Sequence, residues 1–454
     1  MNTTILMHGV GLALSLLAAS CMAAVTPQEA AQLGSSLTPL GGEKAGNADG
    51  SIPAWTGGLQ PDAAPVENGF LGDPYSNDKP LFVITSANMA QYKDKLTPGQ
   101  QAMLQRYPDY RIPVFPTRRS AAAPQFVYDA VKKSAVTTEE ANGGDGLKNF
   151  SESRYYAFPI PKNGVQVVWN HETRYRGTNF IQDFVQATPQ TNGAYTPVEI
   201  QQHVGFPQLM SDIPANGASN ILFYAKQEVL GPARLAGNVT LVHETIDQVK
   251  EPREAWAYNA GQRRVRRAPQ VAYDGPGTAS DGMRTADNSD MYNGAPDRYD
   301  WKLIGKRELY IPYNNYRLQS PKLKYDDIIK AGHINQDLTR YELHRVWEVE
   351  GTVKPGQRHI YAKRHMYFDE DTWALVEVDH YDGRGQLWRV GEGFLANDYQ
   401  QGASLYAAQT LYDLLAGRYM VLGLVNEVQQ GTQFNQKFTL NDFTPAALRN
   451  AGIR

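Results

Sequence analysis

Residues 340–395 read RYELHRVWEVEGTVKPGQRHIYAKRHMYFDEDTWALVEVDHYDGRGQLWRVGEGFL, and the fold class follows from their alternation. Over Arg340 to Val353 the apolar Tyr341, Leu343, Trp347 and Val349 alternate with Glu342, His344, Glu348 and Glu350. That is the two-residue period of a strand with one face toward a core. Lys354-Pro355-Gly356-Gln357 then turns the chain. From His359 to Asp369, Ile360, Ala362, Met366 and Phe368 alternate with His359, Lys363 and His365, with Arg364 interrupting the apolar side. Trp373 to Tyr381 and Leu387 to Leu395 follow across the turn Asp382-Gly383-Arg384-Gly385. Strands joined by tight turns predict an antiparallel meander of four, and no helix-length segment separates them, which disfavours a parallel α/β sheet.

Working outward, Tyr155 to Pro159, Val165 to Asn170, Asn220 to Val229, Asn238 to Val249 and Ala255 to Asn259 are rich in β-branched and aromatic residues and also predict strands. After Asp398 the period changes, and Leu405, Ala408, Tyr412 and Leu415 predict a helix that Gly417 caps. Thr444-Pro445 starts a short terminal helix. Toward the N-terminus, Thr26 with Glu29 forms a capping box, and Thr97-Pro98 opens a helix through Met103, Leu104 and Tyr107. Between them the Gly-rich residues 37–59 forbid regular structure for long, and Ile52 and Trp55 are expected to pin them to a groove. The predicted class is α+β, mainly antiparallel β. An extended region with short helices over residues 25–124, read as a wrap, precedes a large curved antiparallel sheet with C-terminal helices over residues 125–454.

The chain has 454 residues, 42% hydrophobic and 20% charged, too apolar for disorder. Its mean hydropathy of −0.48 is too polar for a membrane bundle. Lys+Arg 44 against Asp+Glu 47 leaves a net charge of −3, with no basic excess for nucleic acid. Residues 1–24 predict a signal peptide, from the apolar run Ile5 to Leu17 and the small residues around Ala23 and Ala24. Leu17 to Cys21 offers an alternative lipoprotein cleavage site that would leave Cys21 as a lipid anchor. With the favoured cut, the single Cys is removed and no disulfide is expected.

The search for chemistry returns mostly absences: no P-loop, no dinucleotide-binding glycine turn, no G-x-S-x-G elbow and no zincin helix, so no cofactor and no catalytic residue is predicted. His344, His359, His365 and His380 fall on predicted strands, but alternation places them on a wetter face and no metal site is expected. Asp287 to Asp297 is rich in oxygen ligands yet misses the spacing of a calcium loop. Asp369, Glu370 and Asp371 read as a solvated turn with unshifted carboxyls, and nothing selects a pair for glycoside hydrolysis. The adjacent pairs His171-Glu172 and His243-Glu244, taken as strand residues, point to opposite faces. Arg263, Arg264, Arg266 and Arg267 are candidates for contact with an anionic headgroup or a partner, set on a basic hairpin.

Three long blocks, residues 37–59 (LTPLGGEKAGNADGSIPAWTGGL), residues 255–306 beginning AWAYNAGQRRVRRAPQVAYDGPG, and residues 343–373, closely resemble an uncharacterised family of proteobacterial exported proteins. That family is catalogued as a domain of unknown function and described as outer-membrane lipoprotein-sorting-like. The resemblance spans essentially the whole mature chain. It implies kinship with the LolA/LolB group, an incomplete curved barrel whose helices plug the open side over a hydrophobic cavity. It also implies, as partners, an outer-membrane β-rich protein and an RND-type exporter, and it carries no catalytic residues. The function expected is a periplasmic, non-catalytic carrier or binding protein for a lipid or other amphiphile, because burial of about 0.8 kcal/mol per CH₂ gives affinity without catalytic machinery. The alternative is an envelope glycan-binding protein or glycan-acting enzyme. Under the carrier reading Tyr341, Leu343, Trp347, Ile360, Met366, Phe368, Trp373, Leu375 and Trp388 are the cavity-wall candidates.

Overall fold

The meander predicted from residues 340–395 is one part of a 15-stranded open sheet. The structure is a computed structural model that describes residues 25–151, 153–214 and 220–451. The predicted leader, with Cys21, lies outside the described residues. The strands of the large sheet are β1 (Phe82–Ile84), β2 (Ile112–Val114), β3 (Phe180–Ala187), β4 (Val198–Gly205) and β5 (Ile221–Gly231). β6 (Val239–Thr245), β7 (Glu254–Asn259), β8 (Arg264–Arg267), β9 (Tyr299–Pro312) and β10 (Tyr341–Val353) follow. The last five are β11 (Lys363–Asp369), β12 (Leu375–Tyr381), β13 (Leu387–Asp398), β14 (Ala403–Asp413) and β15 (Arg418–Leu424).

Two antiparallel meanders make up the sheet. One runs from β3 to β8 and the other from β10 to β15, and they join where β15 pairs with β3 through Val421–Ala187 and Leu422–Gln186. β9 pairs with β10 along its whole length, and β2 reaches β10 in parallel at Tyr341. The ends do not meet, so the architecture is a large curved antiparallel sheet left open, as the sequence predicts.

Three local readings are corrected. Residues 165–170 are not a strand but the core of the helix Gly164–Glu172, whose Asn163 side chain accepts from the Gln166 N–H at 3.0 Å. All nine of its residues are buried, so it shows no amphipathic period, and its valines mimic a strand. His171 and Glu172 are therefore helical. Residues 405–412 are not a helix but part of β14. Leu395 pairs with Tyr406 while Phe394 pairs with Ala408, so Ala407 is an extra, bulged residue that converts a spacing of two into three and imitates a helical repeat. The segment around Tyr155 to Pro159 is irregular. The terminal helices reduce to a 3₁₀ turn at Leu440–Phe443 and the helix Ala447–Ala451. A helix at Gln125–Thr137 has no counterpart in the sequence reading.

The polar side of the meander is also not wet. Glu342, His344 and Glu348 are all buried, because the region before residue 125 lies over it. Arg119 reaches Asp371 at 2.8 and 2.6 Å and Glu43 O at 2.6 Å, and Trp55 Nε1 donates to Ala121 O at 2.9 Å. The helix Pro98–Arg106 opens with the predicted cap, Thr97 accepting from Gln100 N–H.

The segment between β8 and β9, residues 268–298, crosses one face of the sheet as a strap tied down by buried ion pairs. Asp287 accepts from Arg364 Nη2 at 2.7 Å and lies 3.0 Å from His359 Nε2, and the Arg364 side chain is fully buried. Tyr292, Tyr299 and Tyr361 present their rings to that guanidinium at 4.9, 5.0 and 5.4 Å. Arg364 thus interrupts the apolar pattern of β11 because it is the strap's anchor. Replacing Asp287→Asn strands a buried cation and is expected to destabilise the fold by about 3–5 kcal/mol in urea titration. A loss below about 1 kcal/mol would contradict the anchoring role.

Candidate functional site

β3 to β6 put alternate residues on one face, and their registers align these in rows. Phe180, Val204, Ala225 and Val242 form one row, and Gln182, Gln202, Gln227 and Thr240 the next. Phe184 pairs with Ile200 beyond them. The polar row is a ladder in which Gln227 donates to Gln202 at 3.3 Å and Gln202 donates to Gln182 at 2.9 Å. An apolar floor with one self-satisfied amide stripe results, since each glutamine meets part of its neighbour's hydrogen-bonding demand.

The strap roofs this floor. Gln186 donates to Thr278 O and Ala279 O at 3.0 and 2.8 Å, Arg389 to Met283 O at 2.9 Å, and Gln409 accepts from Met291 N–H at 2.9 Å. Between floor and roof lies a cavity of about 230 Å³, bordered by β3 to β6, by Leu405, Gln409 and Leu422, and by the strap from Val271 to Asn293. Its wall carries four arginines, Arg174, Arg176, Arg253 and Arg284, against two carboxylates, Glu244 and Asp290. Arg174 and Arg176 hold Asp290 at 2.6 and 2.9 Å, and Arg253 holds Glu244 at 2.6 Å. Despite burial, these two arginines keep the Asp290 carboxyl below the ordinary range. Behind this wall, burial pushes Glu172 up to about 8 and His171 down to about 3, so both are neutral near pH 7.

None of the nine aromatic and aliphatic candidates borders this cavity. Tyr341 is buried and donates to Glu392 Oε1 at 2.7 Å. Leu343, Met366, Phe368, Trp373 and Leu375 are buried in side-chain packing. Trp347 is half-buried, stacked on Trp373 at 6.0 Å with Lys306 over it at 4.7 Å. Trp388 is half-buried and donates to Asp413 at 3.0 Å, and Ile360 is 40% exposed. Arg263, Arg264, Arg266 and Arg267 are exposed on and beside β8, the outermost strand of its meander, where Arg267 pairs with Glu254. The cavity residues escape the sequence reading because β3 and β4 carry glutamine on the face that a core strand would keep apolar.

The histidines do not converge. His359 lies on Asp287, His365 lies 2.6 Å from Glu348, His380 lies 3.1 Å from Asn288 Nδ2, and His344 lies 3.1 Å from Glu342. His344, Asp369 and Asp371 offer three ligand atoms within 4.8 Å of one another. Arg119 already takes both Asp371 oxygens, so a cation there would meet a guanidinium rather than a free carboxylate. The carboxylate turn at Asp369, Glu370 and Asp371 is buried rather than solvated, because the region before residue 125 covers it. Burial pushes Asp369 up to about 7 and raises Glu370.

A second buried acidic group joins Glu377 and Glu392, directly opposed on β12 and β13, with Asp379. Burial raises all three, Asp379 and Glu392 to about 7. Tyr110 and Tyr341 donate to Glu392 at 2.9 and 2.7 Å, and the Gly99 N–H donates to Asp379 at 3.1 Å.

Comparison with known proteins follows from the whole chain. The profile of the family described as "Protein of unknown function (DUF1329)" matches residues 83–449. An uncharacterized protein of Pseudomonas aeruginosa, PA3922, is 62% identical over 455 residues, covering 100% of both chains. A crystal structure of a DUF1329 family protein from Desulfovibrio piger is 15% identical, covers 60% of this chain and 92% of its own, and has a TM-score of 0.41. That of the LolA superfamily protein NE2245 from Nitrosomonas europaea is 12% identical, covers 63% and 98%, and has a TM-score of 0.38.

The raised carboxyls set a pH dependence. Glu392 and Asp379 bind protons in the folded chain at pH values where the unfolded chain has released them. Their contribution is therefore present below about pH 4 and lost as pH rises through about 7. Urea midpoints at pH 5 and pH 8 should show a smaller loss for Glu392→Gln than for the unaltered protein, by on the order of 1–2 kcal/mol. Parallel profiles would remove Glu392 as a source of that loss.

Proposed function

Because the chain belongs to the DUF1329 family, whose description assigns no function, we propose a role from the chain's own cavity: a non-catalytic binding protein that carries a lipid or other amphiphile. The observation that carries this reading is the floor of β3 to β6, where the rows led by Phe180 and Phe184 flank the glutamine stripe beneath a strap. An acyl chain laid along the apolar rows gains roughly 0.8 kcal/mol for each methylene it buries. The space of about 230 Å³ suits one slender chain rather than a polysaccharide.

Catalysis finds little support in the same wall. Glu244 and Asp290 are both clamped by arginines, which leaves neither as a free acid for a glycosidic oxygen. The periplasmic setting rests on the leader predicted at residues 1–24. A place in outer-membrane trafficking or RND-type export rests on the family resemblance in residues 37–59, 255–306 and 343–373. No helix among the described residues is long and apolar enough to cross a membrane.

The test is to purify the exported protein without detergent and identify co-purifying molecules by native and denaturing mass spectrometry. A stoichiometric amphiphile is expected, and it should be lost from Ala225→Trp, which fills the middle of the floor. Repeated recovery without a ligand, together with failure to take up added lauric acid, would exclude the carrier.

A further inference from the structure

Three of the four cavity arginines have carboxylate partners, and among the described residues Arg284 has none. Arg174 and Arg176 share Asp290, and Arg253 takes Glu244. Arg284 is only 9% exposed, and its Nε has no hydrogen-bond partner among the described residues. No ion pair to its guanidinium is found among the described residues, and burial alone lowers its pKa to about 10. It remains charged at pH 7, so the fold keeps an uncompensated cation on the cavity wall. A buried charge without a partner costs several kcal/mol unless something of opposite sign supplies the missing interaction.

The side chain is also held in place. The Arg284 carbonyl accepts from the Gly277 N–H at 2.9 Å, closing the strap on itself. A Cβ at Gly277 would come within 3.0 Å of Arg284 Nε and 3.1 Å of its Cζ, so glycine leaves room for the guanidinium beside the facing backbone. Gln186 holds the same turn of the strap to β3. The guanidinium and the apolar floor therefore border one space.

We infer that the cavity is selective for an anionic amphiphile, whose single carboxylate or phosphate head pairs with Arg284 while its chain lies on the β3 to β6 floor. The inference rests on the carrier reading and deepens it. Four arginines against two carboxylates leave the wall with a surplus of two positive charges. A planar guanidinium meets either head group through paired hydrogen bonds, and an alcohol or amine of the same chain length cannot reproduce that contact.

Calorimetric titration of the full mature chain with lauric acid, dodecyl phosphate and dodecanol tests this directly. At least one anion is expected to bind tenfold or more tightly than dodecanol, and the stronger of the two identifies the head group. Arg284→Met should abolish the preference, leave dodecanol binding within about twofold, and keep or raise Tm, because it removes a buried unpaired charge. Arg284→Lys should keep part of the preference. Equal binding of all three by the unaltered protein, or a preference that survives in Arg284→Met, overturns the anion selectivity while leaving the carrier intact. A fall in Tm with Arg284→Met assigns Arg284 a structural role and also overturns it. Absence of binding by any of the three overturns the carrier reading, and this inference with it.

Discussion

The pairing of Arg364 with Asp287 is the constraint on which the rest of the arrangement depends. A guanidinium buried on a β-strand is tolerable only with a partner, and here that partner comes from a segment 77 residues earlier in the chain. The pair therefore fixes where the strap crosses the sheet. Once Asp287 is fixed, Asp290 falls to Arg174 and Arg176, and Asn293 donates to Glu244 at 2.6 Å. The strap's position sets the height of the cavity and delivers Arg284 to its wall. Tyr292, Tyr299 and Tyr361 finish the anchor by turning their rings to the cation, one structural use for three of the chain's 26 tyrosines.

How much of this was legible in the sequence depends on how uniform each strand's surroundings are. β10, β12 and β13 sit between similar neighbours along their length, and alternation placed them within a few residues. β3 and β4 face a cavity on one side, so Gln182, Gln186 and Gln202 stand where a core strand would place aliphatic residues, and the pattern dissolved. The helix Gly164–Glu172 failed for the opposite reason, being apolar on every side. In β14 a single bulged residue, Ala407, shifted the period enough to imitate a helix.

The candidate site was less legible than the fold. Large apolar residues in regular strands mark where packing is densest, and a cavity is where packing stops, so Trp373, Phe368 and Leu375 pointed to the core instead. The carboxylates of the 369–371 turn misled for a related reason, since their burial is decided by a chain segment more than two hundred residues away. The signals that were available were Gln182 and Gln186, four residues apart on one face of β3, and the acidic, asparagine-rich run after Arg284. Both looked like solvent-facing polarity. The family profile over residues 83–449 connects the chain to its relatives without adding a chemical role.

The seam between β15 and β3 has a consequence for how the chain acquires its structure. β3 is complete by residue 187, but its second neighbour ends at residue 424, so one edge of the early meander waits for most of the polypeptide to be made. Contacts this distant close slowly, and an unpaired edge is an invitation to intermolecular pairing in the meantime. The same glutamines that obscure β3 as a strand leave the waiting segment less hydrophobic than a core strand. The polar composition of the floor thus moderates the aggregation hazard of a late-closing sheet.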